Sequence, residues 1–65
     1  MKNNLKKIRL NLGLSQGELA IRSGISRYTV NAVENGKNPP STETVIALVK
    51  ATNTEVEKIF PDFSL

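Results

Sequence analysis

Three polar side chains in one short stretch, Arg27, Tyr28 and Asn31, carry hydrogen-bonding groups suited to recognising another molecule. A guanidinium donates N–H groups in a fixed fork, and a carboxamide places a donor beside an acceptor. Catalysis is not expected, because the chain has no histidine, no cysteine and no clustered carboxylates that could assemble a nucleophile with a base. The residue types therefore predict binding through hydrogen bonds, with no catalytic residue, no metal site and no cofactor.

A helix–turn–helix pattern surrounds these side chains. Ala20 is small enough for close helix contact, Gly24 can adopt the positive φ of a tight turn, and Val30 faces inward. Such a unit places its second helix in the DNA major groove. There an arginine matches guanine O6 and N7, and an asparagine matches adenine N6 and N7. The pattern predicts that the three polar side chains face double-stranded DNA.

Residues that typically begin or end helices predict five short helices and no strands. The predicted fold is therefore all-α. Predicted N-caps for the second to fifth helices are Ser15, Ser26, Ser41 and Thr54. Two capping boxes are predicted, Ser15 with Glu18 and Thr54 with Glu57. Predicted helix ends are Gly13, Ser23, Asn35-Gly36, Asn53 and Pro61. Inward faces are predicted for apolar residues at helical spacing, among them Leu5, Ile8, Leu12, Leu19, Val33, Val45, Leu48, Val49, Val56, Ile59 and Phe60.

Length and charge set the remaining expectations. The chain has 65 residues and a net charge of +3, which predicts one domain over 1–65, with the helix-turn-helix at about 16–35 and an apolar tail at 61–65. The excess of basic residues favours binding to a polyanion, but a basic surface that contacts only solvent would explain the charge equally well. Neither a targeting segment nor an apolar run of ~20 residues is present, which predicts a cytoplasmic location and no membrane partner.

Several short motifs, in their order and spacing, resemble the Cro and lambda-repressor family, the XRE-type helix-turn-helix. The matching motifs are Ile8-Arg9, Gly13-Leu14-Ser15-Gln16, Leu19-Ala20, Gly24-Ile25-Ser26, Val33-Glu34-Asn35-Gly36-Lys37 and Pro40-Ser41. The resemblance extends from about Leu5 to Phe60. It implies a compact five-helix lambda-repressor-like DNA-binding domain.

The resemblance also implies roles for individual residues. Contacts to DNA bases are implied for Arg27, Tyr28 and Asn31. Contacts to the DNA backbone are implied for Gln16, Ser26, Asn35, Lys37 and Asn38. A structural ion pair is implied between Arg9 and Glu34. Independently of the resemblance, the backbone amides that open the second helix suit an anionic oxygen.

Structural alternatives and departures from the family pattern stand beside these roles. In the structural alternative, Arg27 and Lys37 are surface charges that contact only solvent, and Tyr28 packs on the domain surface. Ala32 lacks the longer polar side chain of many relatives. Thr42 and Thr52 replace leucines that are usual at two inward positions of the fourth helix.

The combined prediction is a sequence-specific transcriptional regulator, a repressor or autoregulator that occupies a near-palindromic operator as a homodimer. The apolar C-terminal end, comprising Ile59, Phe60, Phe63 and Leu65, is the predicted dimer surface, and its alternative is that the phenylalanines only cover a monomer core. The alternative function is an antitoxin or anti-regulator that acts mainly by binding a partner protein.

Overall fold

The computed structural model describes residues 2–37 and 39–62. Within that part of the chain, all regular structure is helical, and no strand is present. The helices are α1 (Leu5–Asn11), α2 (Gln16–Ser23), α3 (Arg27–Asn35), α4 (Thr42–Thr52) and α5 (Val56–Ile59). The all-α, five-helix prediction is confirmed.

Local capping chemistry starts and ends the middle three helices where it was predicted. Ser15, Ser26 and Ser41 each accept a hydrogen bond from the backbone N–H three residues later. Ser15 and Glu18 form both halves of the capping box. The residues that end these helices adopt the left-handed conformation, with φ of 76° at Gly24, 66° at Gly36 and 50° at Asn53.

The start of α5 differs from the prediction. The N-cap is Glu55, and its side chain makes no capping hydrogen bond. The Thr54 hydroxyl instead donates backwards to the Thr52 carbonyl oxygen at 3.0 Å. The predicted capping box of Thr54 with Glu57 was therefore wrong, because the helix begins one residue later than the pattern indicated.

The core is formed where the helices meet. Its buried apolar residues are Leu5, Leu19, Ala20, Val30, Val33, Val45, Leu48, Ile59 and Phe60. Ile59 and Phe60 are both 0% exposed. They cannot form part of a dimer surface as predicted, because the chain's own core already covers them. Phe63 and Leu65 lie outside the described residues.

Two further predictions about inward-facing residues need correction. Leu12 is 45% exposed, because α1 ends at Asn11 and the chain turns away through Gly13. Thr42 is exposed at the first position of α4. Thr52 does face inward, at 5% exposure, and its hydroxyl donates to the Leu48 carbonyl oxygen at 2.7 Å. The polar group is thus satisfied inside the helix.

Contacts between distant segments hold α1 and the end of α3 in place. The Asn4 backbone N–H donates to the Ile59 carbonyl oxygen at 2.8 Å. The Asn3 carboxamide donates to the Val33 carbonyl oxygen at 2.7 Å. Helix α2 packs against both α3 and α4. Among the described residues, no helix is long and apolar enough to cross a membrane.

Candidate nucleic-acid interface

Helices α2 and α3 and the turn between them form the predicted helix–turn–helix. Ala20 is buried at the contact between the helices, Gly24 takes φ of 76° in the turn, and Val30 is completely buried. A residue with a Cβ is usually strained at such a positive φ, so this position of the turn favours glycine. Burial of Val30 turns the opposite face of α3 outward.

The outward face of α3 carries two side chains at its start without partners. Arg27 and Tyr28 are exposed, and neither side chain forms a hydrogen bond or an ion pair with the rest of residues 2–37 and 39–62. Tyr28 is 82% exposed. The alternative that it packs on the domain surface is therefore wrong. Both side chains are free to contact another molecule.

The first turn of α3 lacks the acidic residue that α2, α4 and α5 carry at the same place. Glutamates lie in the first turns of α2, α4 and α5, where they complement the positive end of the helix dipole. The first turn of α3 has no acidic residue, and Arg27 occupies its first position. A cation there gains nothing from its own helix.

A shielded ion pair joins α1 to the end of α3. Arg9 Nε donates to Glu34 Oε2 at 2.6 Å, and Arg9 Nη2 donates to Glu34 Oε1 at 3.2 Å. The two side chains are 8% and 4% exposed. Arg9 Nη1 also donates to the Leu14 carbonyl oxygen at 2.8 Å, so one guanidinium ties α1 and the segment before α2 to α3. The geometry is bidentate, as is common for arginine with a carboxylate.

The pair shifts the titration of both partners. Burial acts to raise the pKa of Glu34, but hydrogen bonds from Arg9 and Gln16 and the charges of Arg9 and Lys6 outweigh it, so the pKa lies below its ordinary value. The hydrogen bond to Glu34 raises the pKa of Arg9 against the opposing effect of burial. Both groups are therefore charged at neutral pH.

From this ion pair, hydrogen bonds continue towards the outward face of α3. Gln16 Nε2 donates to Glu34 Oε1 at 3.0 Å, and Asn31 Nδ2 donates to Gln16 Oε1 at 3.5 Å. Asn35 Nδ2 then donates to Asn31 Oδ1 at 3.0 Å. We call these five residues, from Arg9 to Asn35, the polar network. It brings together the predicted structural pair, two predicted backbone-contacting residues and one predicted base-contacting residue.

The remaining predicted contact residues lie around this network. The Ser26 hydroxyl is occupied at the start of α3, where it accepts from the Thr29 backbone N–H and shares a hydrogen bond with the Thr29 hydroxyl. Lys37 is exposed just after α3. Asn38 lies outside the described residues.

Sequence reasoning missed one basic residue and one contact. Lys6 is exposed, and its positive charge contributes to lowering the pKa of Glu34. Its position three residues before Arg9 is the signal that could have indicated this. Helical spacing could not indicate the contact of Gln16 with Asn31, because the two residues belong to different helices.

The fold and the outward face of α3 together define a helix-turn-helix DNA-binding domain. A family model described as helix-turn-helix matches residues 5–59. The chain belongs to this family, the XRE-type helix-turn-helix regulators, and its fold is lambda-repressor-like. The family is one of DNA-binding regulators.

Relatives and a solved structure match the chain over most of its length. The HTH-type transcriptional regulator MJ0272 of Methanocaldococcus jannaschii is 40% identical over 60 residues, covering 92% of this chain and 91% of the relative. The HTH-type transcriptional regulator YgzD of Bacillus subtilis is 37% identical over the same shares of the two chains. The crystal structure of the restriction-modification controller protein C.AhdI from Aeromonas hydrophila has a TM-score of 0.79 and 36% identity, covering 86% of this chain and 85% of that one.

Proposed function

We propose that this protein binds a specific duplex DNA sequence and represses transcription by occupying it. In this proposal α3 enters the major groove, where Arg27, Tyr28 and Asn31 contact base edges. The observation that carries the proposal is the presence of unpartnered Arg27 and Tyr28 at the start of α3, within a helix–turn–helix. The protein acts by binding rather than by chemistry.

Contacts to the DNA backbone are proposed for residues that precede α3 and for residues at or after its C-terminal end. Gln16 Nε2 has two N–H groups, and the one not directed at Glu34 can donate to a phosphate oxygen. Asn35 likewise keeps one N–H after donating to Asn31. Lys37 contributes a flexible cation. Ser26 and Asn38 complete the set, the first through its position at the N-terminus of α3 and the second from its sequence position alone.

Two copies on a near-palindromic operator are proposed, because one helix-turn-helix makes few base contacts. The burial of Ile59 and Phe60 directs the contact between copies to other residues. Analytical ultracentrifugation with and without operator DNA tests this step. A complex with one protein chain per specific site would contradict it.

Selection from a random duplex pool tests sequence-specific binding. We expect an enriched motif with inverted-repeat symmetry and an affinity that falls steeply with salt, because lysines and arginines displace condensed counterions. Equal, weak binding to every duplex at low salt would contradict the proposal. A reporter gene placed behind the selected motif then tests the sign of regulation, with lower expression expected.

A further inference from the structure

We propose that Gln16 is a positioning residue, through which the buried Arg9–Glu34 pair fixes which way round the Asn31 carboxamide faces the DNA. The inference rests on the proposed function and adds to it a residue that sets specificity. Gln16 itself is half-buried, and its carboxamide contacts Glu34 of the ion pair with one atom and Asn31 with the other.

The order of donors and acceptors along the polar network leaves one orientation for each amide. A carboxylate only accepts hydrogen bonds, so Gln16 must direct Nε2 at Glu34 and Oε1 away from it. Oε1 in turn only accepts, so Asn31 must direct Nδ2 at Gln16. Asn31 Oδ1 then faces the opposite side, where it accepts from Asn35 Nδ2.

Because the Glu34 side chain is buried, it is the fixed member of the polar network. The Glu34 side chain is 4% exposed and is held by two hydrogen bonds from Arg9. Asn31 and Asn35 are exposed. A reversed Gln16 amide would place Oε1 against the carboxylate, so two acceptors would meet without a proton between them. An isolated exposed asparagine has no such constraint, since its two amide orientations have nearly the same shape.

The hydrogen-bonding groups that remain on Asn31 match one base. After the contacts with Gln16 and Asn35, Nδ2 keeps a second N–H and Oδ1 keeps a second lone pair. An adjacent donor and acceptor are what adenine N7 and N6 require. Because the network sets their order, the carboxamide is ready for adenine before DNA arrives, and discrimination at that base pair depends on Gln16.

The test compares Gln16→Ala with Asn31→Ala on the motif selected by the unaltered protein. We expect Asn31→Ala to lower discrimination at one base pair by about 5- to 150-fold. Gln16→Ala should lower discrimination at the same pair by about three- to tenfold, as expected for losing part of that contact. The double variant should lose no more discrimination than Asn31→Ala alone. Lys37→Ala is the matched control, and it should weaken binding to all sequences while discrimination is unchanged.

A measurement on the free protein keeps the test independent of DNA. The side-chain amide signals of Asn31 in a ¹⁵N–¹H NMR spectrum should shift in Gln16→Ala and stay in place in Lys37→Ala, while the backbone spectrum shows both proteins folded. Unshifted Asn31 signals would overturn the inference.

The binding results separate this inference from the proposed function. Should Gln16→Ala weaken every sequence equally, Gln16 contacts only phosphate, and the inference is overturned while specific binding stands. Loss of discrimination at all positions alike would also overturn it, because α3 as a whole would have moved. If the unaltered protein selects no motif, the proposed function fails and this inference fails with it.

Discussion

Removal of Arg9 is the perturbation whose effect the structure defines best. In the unaltered protein the Glu34 side chain is 4% exposed. In Arg9→Ala, the Glu34 carboxylate keeps Gln16 as its remaining hydrogen-bond donor within the polar network. The substitution also removes the donor to the Leu14 carbonyl oxygen. An uncompensated buried charge destabilises a protein strongly, so we expect the folded state, more than base preference, to lose free energy.

The magnitude follows from burial and chain length. Removing one partner of a fully buried ion pair costs about 3–5 kcal/mol, which is the upper bound for this part-buried pair. At roughly 0.05–0.15 kcal/mol per residue, a domain of 65 residues has a total free energy of unfolding of about 3–10 kcal/mol. At this upper bound, Arg9→Ala removes about a third or more of the stability, and Glu34→Ala should cause a similar loss.

Urea denaturation followed by circular dichroism measures this loss in a double-mutant cycle. The Arg9→Ala/Glu34→Ala protein should lose less free energy of unfolding than the two single losses added together, because it leaves no unpaired charge. Lys7→Ala, an exposed cation on the same helix, is the control and should change the free energy by no more than about 0.5 kcal/mol.

Two results would refute this reasoning. Additive losses in the cycle would mean that the two side chains act independently despite their contact. A stable Arg9→Ala protein with altered base preference would instead assign Arg9 to the DNA interface.

Three further predictions concern the interface, a glycine and acid stability. Arg27→Ala should cost about 1–3 kcal/mol of binding to the selected site and relax preference at one base pair, whereas Lys37→Ala should weaken all sequences alike and flatten the salt dependence; equal effects of both on specific and random DNA would contradict this division. Gly17→Ala should raise the free energy of unfolding by about 0.5–1 kcal/mol in urea denaturation, because glycine inside a helix is less favourable than alanine. The added Cβ has room, since it would meet only Ser15 Oγ at 3.9 Å. A loss of stability would show that the site needs glycine. The pKa of Glu34 is lowered on folding, so the charged carboxylate stabilises the protein fully above pH 4.5, its ordinary pKa, and this stabilisation is lost as pH falls through the folded-state pKa. Urea denaturation from pH 7 to pH 2 should show the loss of free energy of unfolding. A loss of equal size in Glu34→Gln would contradict the prediction.

Local patterns in the sequence were sufficient for most of the secondary structure. The serine N-caps and the left-handed helix ends depend on residues within about four positions, so a single sequence contains all the information they need. The failure at Thr54 has the same origin, since its hydroxyl found a competing backbone acceptor two residues back. The outward placement of Arg27 and Tyr28 followed from Val30, whose apolar side chain determines which face of α3 is buried.

Packing between distant segments decided the rest. Of the basic residues Lys6, Lys7 and Arg9, Arg9 lies four residues after the buried Leu5, so helical spacing places it on the inward face. Only the tertiary structure brings Glu34, 25 residues after Arg9, into contact with it. The resemblance to a family implied that pair, whereas helical spacing did not. The same holds at the C-terminus, where apolar character indicated a buried surface but could not distinguish a partner chain from the domain's own core. Residue type determines that a side chain leaves water, and the tertiary structure determines what covers it.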